Sequence, residues 1–286
     1  MEELQNIQWF PGHMTKTLRK MSESIKLIDI VAEIVDARIP QSSRNPNLDS
    51  LISGKPRIIL LNKSDISDET ETKRWIEYYK KSGVPALSID SKSGRGLKGF
   101  VPLVRQTLKP LIERWESKGM IGHSIKIMVA GIPNVGKSSF INKMAGNTKA
   151  RVEDRPGVTR GNQWYTVEKG VDLLDTPGIL WPKFDDPSVA ERLAFTGAVK
   201  DQVVDIEALA MRFLLFMNEH YHYRLNERYK IGDTGGFGGF ELLELVGMKR
   251  GMLISGGDID VERAAVTVLD EYRSGKLGNM TLEIAP

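Results

Sequence analysis

Gly131-Ile132-Pro133-Asn134-Val135-Gly136-Lys137-Ser138 decides the reading of this chain. The apolar run Ser124–Ala130 leads into it and reads as a strand, while residues 136–145 carry the periodicity of a helix. The glycines let backbone N–H groups close on phosphate oxygens, and the N-terminus of the helix adds positive potential. In that context Lys137 is expected to meet the β- and γ-phosphates of a nucleoside triphosphate, and the Ser138 hydroxyl to bind Mg2+. Asn134, Val135, Gly136 and Ser139 complete the expected phosphate-loop contacts. An ordinary strand–helix turn does not require eight constrained positions in this order.

Upstream, Asn62-Lys63-Ser64-Asp65 follows directly on a second apolar run, Arg57–Leu61. A carboxylate at Asp65 can accept from both N1–H and the 2-amino group of guanine. Adenine offers neither donor there, and a buried acceptor left unsatisfied costs about 1–3 kcal/mol. Asn62 and Lys63 brace such a site, with Lys63 along the purine plane. The tetrapeptide alone is also an ordinary polar turn; beside a phosphate loop it points to guanine. Asp90-Ser91-Lys92 follows the next strand, Pro85–Ile89, where a Ser-Ala-Lys loop usually touches the base carbonyl through its backbone. Ser91 occupies the alanine position.

Downstream, Asp175-Thr176-Pro177-Gly178 ends the strand Val171–Leu174. Asp175 is expected to hold Mg2+ through water, and the Gly178 amide to sense the γ-phosphate. Between this segment and the phosphate loop, Thr159 offers a second hydroxyl for Mg2+.

Working outward, short apolar runs at 31–35, 57–61, 85–89, 124–130, 163–167 and 171–174 alternate with helical patterns at 14–29, 68–81, 97–115 and 136–145. Pro110 threatens a kink in the third of these helices. Alternation of this kind implies an α/β fold, a mostly parallel sheet with helices on both faces. After residue 180 the pattern changes to helical stripes, such as Leu209, Phe213 and Met217 or Val261, Ala265 and Val268. The expected domains are therefore 1–182, binding nucleotide, and 190–286, smaller and mostly helical. The glycine-rich stretch Gly232–Gly239 lacks a following Lys-Ser and reads as a loop.

Composition narrows the classes. Zero cysteines exclude disulfides and thiolate metal sites. No apolar run approaches the roughly 20 residues of a membrane helix. The start Met1-Glu2-Glu3 lacks the features of a signal peptide. A cytoplasmic protein with no membrane partner, acting as a monomer, is expected. A net charge of +3 is not a nucleic-acid signature, but basic residues cluster at Arg105–Lys126 and Lys143–Arg160. Arg212, Arg224, Arg228 and Lys230 add to them in the second domain.

The order of the motifs is unusual. In most GTPases the phosphate loop comes first and the base reader fourth; here the base reader, at 62–65, precedes the phosphate loop. The same sheet forms if the usual ends are joined and the chain is cut elsewhere. With Trp9-Phe10-Pro11-Gly12-His13-Met14, Asp36-Ala37-Arg38-Ile39-Pro40 and Gly256-Gly257-Asp258 through Gly275-Lys276-Leu277-Gly278, this order resembles the circularly permuted GTPases of the YlqF/YawG type. The resemblance covers nearly the whole chain. It implies a GTPase domain. The second domain, with its basic residues, is expected to bind RNA or the ribosome. The resemblance also implies a cytoplasmic factor that joins a late precursor of the large (50S) ribosomal subunit and leaves on GTP hydrolysis.

Many GTPases place a glutamine after Asp-x-x-Gly to orient the attacking water. Ile179 stands there and cannot hydrogen-bond, so intrinsic hydrolysis is expected to be slow. His13, in a Pro-Gly turn, is the candidate catalytic replacement. Asn134 is the candidate for helping to hold a monovalent cation, K+, beside the phosphates. Two other functions fit the same motifs: a nucleotide-gated RNA-binding module, and a GTPase of tRNA modification.

Overall fold

In the computed structural model the described residues are 21–52, 54–120, 122–146, 163–178, 180 and 186–286. His13, Thr159 and Ile179, together with the Trp9–Met14 stretch, lie outside them. The described residues fall into a sheet unit, which runs to residue 180 and takes in Thr281–Pro286, and a helical unit from 186 to Met280.

The sheet has the order β3-β2-β1-β4-β6-β5. Its strands are β1 (Ile30–Asp36), β2 (Arg57–Asn62), β3 (Ala86–Ser88), β4 (Ile125–Ala130), β5 (Gln163–Glu168) and β6 (Val171–Asp175). All neighbours are parallel except β5, which pairs antiparallel with β6. Every residue of β1 is buried, as a central strand covered on both faces requires. Residues 21–25 are helical (α1), with Met21 and Ile25 buried. The other helices of the unit are α2 (Pro46–Ile52), α3 (Glu69–Lys81), α4 (Phe100–Thr107), α5 (Lys109–Ser117) and α6 (Lys137–Ala145).

Local chemistry explains these boundaries. Asp68 caps α3 by accepting from the Glu71 amide, satisfying one of the orphan donors of the first turn. The single helix expected over 97–115 is instead a short 3-10 turn, Leu97–Gly99, followed by α4 and α5, which break at Leu108. Pro110 causes the break: it has no amide to donate and its ring crowds the carbonyl four residues back, so it is tolerated only in the first turn of a new helix.

The helical unit contains α7 (Pro187–Phe195), α8 (Ile206–His220), α9 (His222–Tyr229), α10 (Gly239–Lys249) and α11 (Val261–Arg273). Leu209, Phe213 and Met217 of α8 are buried, as are Ala265, Val268 and Leu269 of α11. The Phe213 and Tyr272 rings pack 4.7 Å apart. At the edge of this core Glu271 accepts from Arg228 (2.6 and 2.9 Å), Arg250 (2.6 Å) and the Tyr229 hydroxyl (2.9 Å). Burial works to raise its pKa, but these donors hold the carboxyl below the usual range.

One boundary differs from the sequence reading. Residues 281–286, expected to end the helical domain, belong to the sheet unit. Ala285 packs against a buried cluster of Val35, Ile59, Leu61, Trp75 and Tyr79, and this burial outweighs proximity in sequence.

Candidate functional site

Five parallel strands end at one edge of the sheet, and each delivers a motif there. Asp36 ends β1, Asn62 ends β2, Asp90 follows β3, Gly131 follows β4 and Asp175 ends β6. The C-terminal edge of such a sheet is where α/β proteins bind ligands.

The phosphate loop joins β4 to α6. Gly136 adopts φ 99° just before the helix, a left-handed conformation natural to glycine. A Cβ at this position would stand 2.3 Å from Nδ2 of Asn62. Asn134 also has a positive φ of 60°. Lys137 is buried, and its Nζ donates to the Gly131 carbonyl (3.0 Å) and the Ile132 carbonyl (2.8 Å). Burial pulls its pKa down to about 8, and the charge of Asp175 only partly opposes this. Asp175 is itself pushed up by burial, with Lys137 counteracting. The two charges thus stand near one another without fully compensating. Ser138 and Ser139 are exposed in the first turn of α6.

The Asp175–Gly178 segment is pinned to this loop. Thr176 donates its hydroxyl to the Val129 carbonyl at 2.6 Å. A Cβ on Gly178 would lie 2.7 Å from Lys137 Nζ and 2.9 Å from the Pro133 nitrogen, so only glycine allows so close an approach.

Asn62 ties three motifs together. Its Nδ2 donates to the Val135 carbonyl at 2.6 Å, and its Oδ1 accepts from the Ser91 amide at 2.9 Å. The Ser91 amide, expected to meet a base carbonyl, is thus engaged by Asn62. Asp90 shapes its own turn by accepting from the amides of Lys92 (2.8 Å) and Ser93 (3.2 Å). Ser64 and Asp65 are half-buried. Lys63 takes φ 62° and turns its ammonium to Asp36, at 2.9 Å.

The arrangement brings the Gly131–Ser138 loop, the Asn62–Asp65 turn and Asp175 to one edge despite their separation in sequence. A family model described as "50S ribosome-binding GTPase" matches residues 126–273, and one described as "RsgA GTPase" matches residues 52–184. Ribosome biogenesis GTPase A of Bacillus cereus is 47% identical, across 97% of this chain and 93% of that protein. This chain belongs to the ribosome biogenesis GTPase A family. The Thermotoga maritima member is 32% identical over 97% of this chain and 94% of its own. The GNP-bound structure of YlqF from T. maritima superimposes with a TM-score of 0.65 at 28% identity, covering 94% of this chain and 98% of that one. Membership fits the permuted fold: β2, which leads into Asn62–Asp65, precedes the phosphate-loop strand β4 in sequence, yet both lie beside β1 in the sheet.

Two features of this family member escaped the sequence reading. Asp36 and Arg38 served there only as part of a resemblance, yet Asp36 pairs directly with Lys63. The signal was available: Asp36 stands at a strand end, as Asn62 and Asp175 do. Conversely, three basic residues expected to meet RNA have carboxylate partners in the fold. Arg212 pairs with Glu191, Arg224 with Glu227 and Arg228 with Glu271, whereas Lys230 is exposed. Among the described residues no helix is long and apolar enough to cross a membrane.

Proposed function

We propose that this chain hydrolyses GTP on a late precursor of the large ribosomal subunit, binding it in the GTP form and leaving after hydrolysis. Membership of the family carries the ribosomal part of the reading; the nucleotide part rests on the Asn62 bridge, which joins the 62–65 turn to the phosphate loop at Val135 and to the third loop at Ser91. A site so braced fixes the distance between a purine and its phosphates. Asp65 is the guanine reader and Lys63 the residue along the purine plane. Lys137 exchanges its two carbonyl partners for β- and γ-phosphate oxygens, while Gly178 meets the γ-phosphate through its amide.

The donor set fits Mg2+. The Ser138 hydroxyl is exposed at the start of α6, and Asp175 stands close enough to feel the Lys137 charge. Ser138, Thr159 and, through water, Asp175 would hold the ion, which supplies neutralisation of phosphate charge. In hydrolysis the oxygen of water bonds to the γ-phosphorus, the bond from that phosphorus to the bridging oxygen breaks, and GDP leaves with the electron pair. His13 is the residue assigned to orient the water. Asn134 is assigned to a K+ ion near the phosphates.

The helical unit is assigned to ribosomal RNA. Exposed basic side chains such as Lys230, contacting RNA phosphates, release counterions, so affinity should fall steeply with salt. A cytoplasmic monomer is the state in which it acts. Cosedimentation with large-subunit precursors in GDP, GTP and a non-hydrolysable GTP analogue, at rising KCl, tests the proposal. Retention with the analogue and loss with GDP is expected; equal retention in both defeats it.

A further inference from the structure

We propose that Asp36 is a positioning residue for guanine recognition, acting through Lys63, and that the carboxy-terminal segment sets its placement by holding the loop that carries Arg38. This rests on the reading of residues 62–65 as a guanine site.

Asp36 is buried at the end of β1. Its Oδ1 accepts from the Arg38 amide (3.0 Å) and Nε (2.9 Å), and its Oδ2 from Arg38 Nη2 (2.8 Å) and Lys63 Nζ (2.9 Å). Burial alone would favour the neutral acid, yet Arg38 and Lys63 hold the carboxyl well below the usual range. It is therefore a fixed anion at neutral pH. A lysine with a solvated end samples many rotamers, and ordering it on ligand binding costs entropy. Anchoring the ammonium on Asp36 orders the Lys63 methylenes in advance. Those methylenes are the surface that a purine face would cover. Arg38, buried beside Asp36, keeps the carboxylate from collapsing wholly onto the lysine.

The loop after Asp36 is in turn held from the far end of the chain. The Leu282 amide donates to the Arg38 carbonyl at 2.8 Å. The Glu283 carboxylate accepts from the amides of Gln41 (2.7 Å) and Ser42 (3.0 Å) and from the Ser42 hydroxyl. Trp75 Nε1 donates to the Glu283 carbonyl at 3.0 Å. On the other side Ser43 closes the loop, accepting from the Asp36 amide (2.9 Å) and donating to the Ile39 carbonyl (2.7 Å). A buried carboxylate with several donors is a rigid clamp, because each donor left unpaired would carry its own desolvation penalty. The bonds thus run from Glu283 through the 38–43 loop to Asp36 and then Lys63. No residue of this series except Lys63 belongs to the base-reading motif.

The test is a double-mutant cycle on full-length protein, reading fluorescent GDP affinity with thermal melting beside it. Asp36→Asn should weaken GDP about tenfold in the parent background and less than about twofold in Lys63→Ala, since coupled residues are non-additive. Equal losses in both backgrounds would mean a general structural role and overturn the proposal. If Asp36→Asn does not fold, Glu283→Gln decides, because it leaves Asp36, Arg38 and Lys63 intact. It should weaken GDP about threefold in the parent and have no effect in Lys63→Ala; an equal loss in both backgrounds, or no loss in the parent, overturns the idea. Failure of the parent to bind guanine nucleotides at all would instead refute the guanine site itself.

Discussion

Lys137 gives the site a measurable proton linkage. Its ammonium rests on two backbone carbonyls, and burial brings its pKa down to about 8 from an ordinary 10.5. A bound triphosphate sets full negative charges where carbonyl dipoles stood, which favours the charged lysine. GTP binding should therefore take up protons. At pH 8 the lysine of the free protein is about half protonated, so uptake should approach about half a proton per nucleotide, falling to about a tenth at pH 7. By the same linkage GTP affinity should drop about fivefold between pH 8 and pH 9. The effect on folding has the opposite sign. A lysine whose folded pKa is lowered destabilises the empty protein below pH about 8, and that penalty is relieved as pH rises from about 8 towards 10.5. Isothermal titration at pH 7 and pH 8, in buffers of different ionisation enthalpy, measures the uptake directly. Zero uptake at both pH values, or the same uptake in Lys137→Met, would refute the reasoning.

Other outcomes follow from the same geometry. Asp65→Asn should lose GTP and gain xanthosine triphosphate, whose 2-carbonyl suits an amide donor; unchanged nucleotide preference in competition binding would remove Asp65 from base recognition. Gly136→Ala forces a Cβ to within 2.3 Å of Asn62 Nδ2 at φ 99°. Strain of about 1–3 kcal/mol at the junction of base reader and phosphate loop should weaken GDP by about tenfold or more in fluorescence titration. Glu271→Gln should lower the melting temperature of the helical unit at pH 7, because Arg228 and Arg250 lose their shared carboxylate. The parent should lose the same stabilisation as pH falls through the lowered pKa of Glu271, which calorimetry at pH 7 and at acid pH would compare.

Much of the site was legible because its motifs sit at strand ends, where period and chemistry change together. The phosphate loop, Asn62–Asp65 and Asp175–Gly178 each follow an apolar run, and the structure brings those runs to one sheet edge. Helix boundaries were legible where a cap or a proline acts locally, as at Asp68, although the depth of the break at Pro110 was not. Long-range pairing was hidden. Nothing near Glu283 in sequence announces that its carboxylate holds Gln41 and Ser42. Nor does composition tell a basic residue paired within the fold, such as Arg228 with Glu271, from one facing solvent. Asp36 escaped for a related reason: its partner Lys63 directly follows the adjacent strand β2, and the pairing of Asp36 with Asn62 fixes their meeting.

On the proposed function, the assembling large subunit stimulates GTP hydrolysis by this chain. The most direct measurement is multiple-turnover phosphate release from GTP, with and without large-subunit precursors, in matched K+ and Na+ buffers. Ile179 stands where a water-orienting glutamine is usual, so the free protein should turn over slowly. Precursor particles should raise the rate by about tenfold or more, and small-subunit particles should not. A rate unchanged by any ribosomal particle, or raised equally by both, would contradict the account.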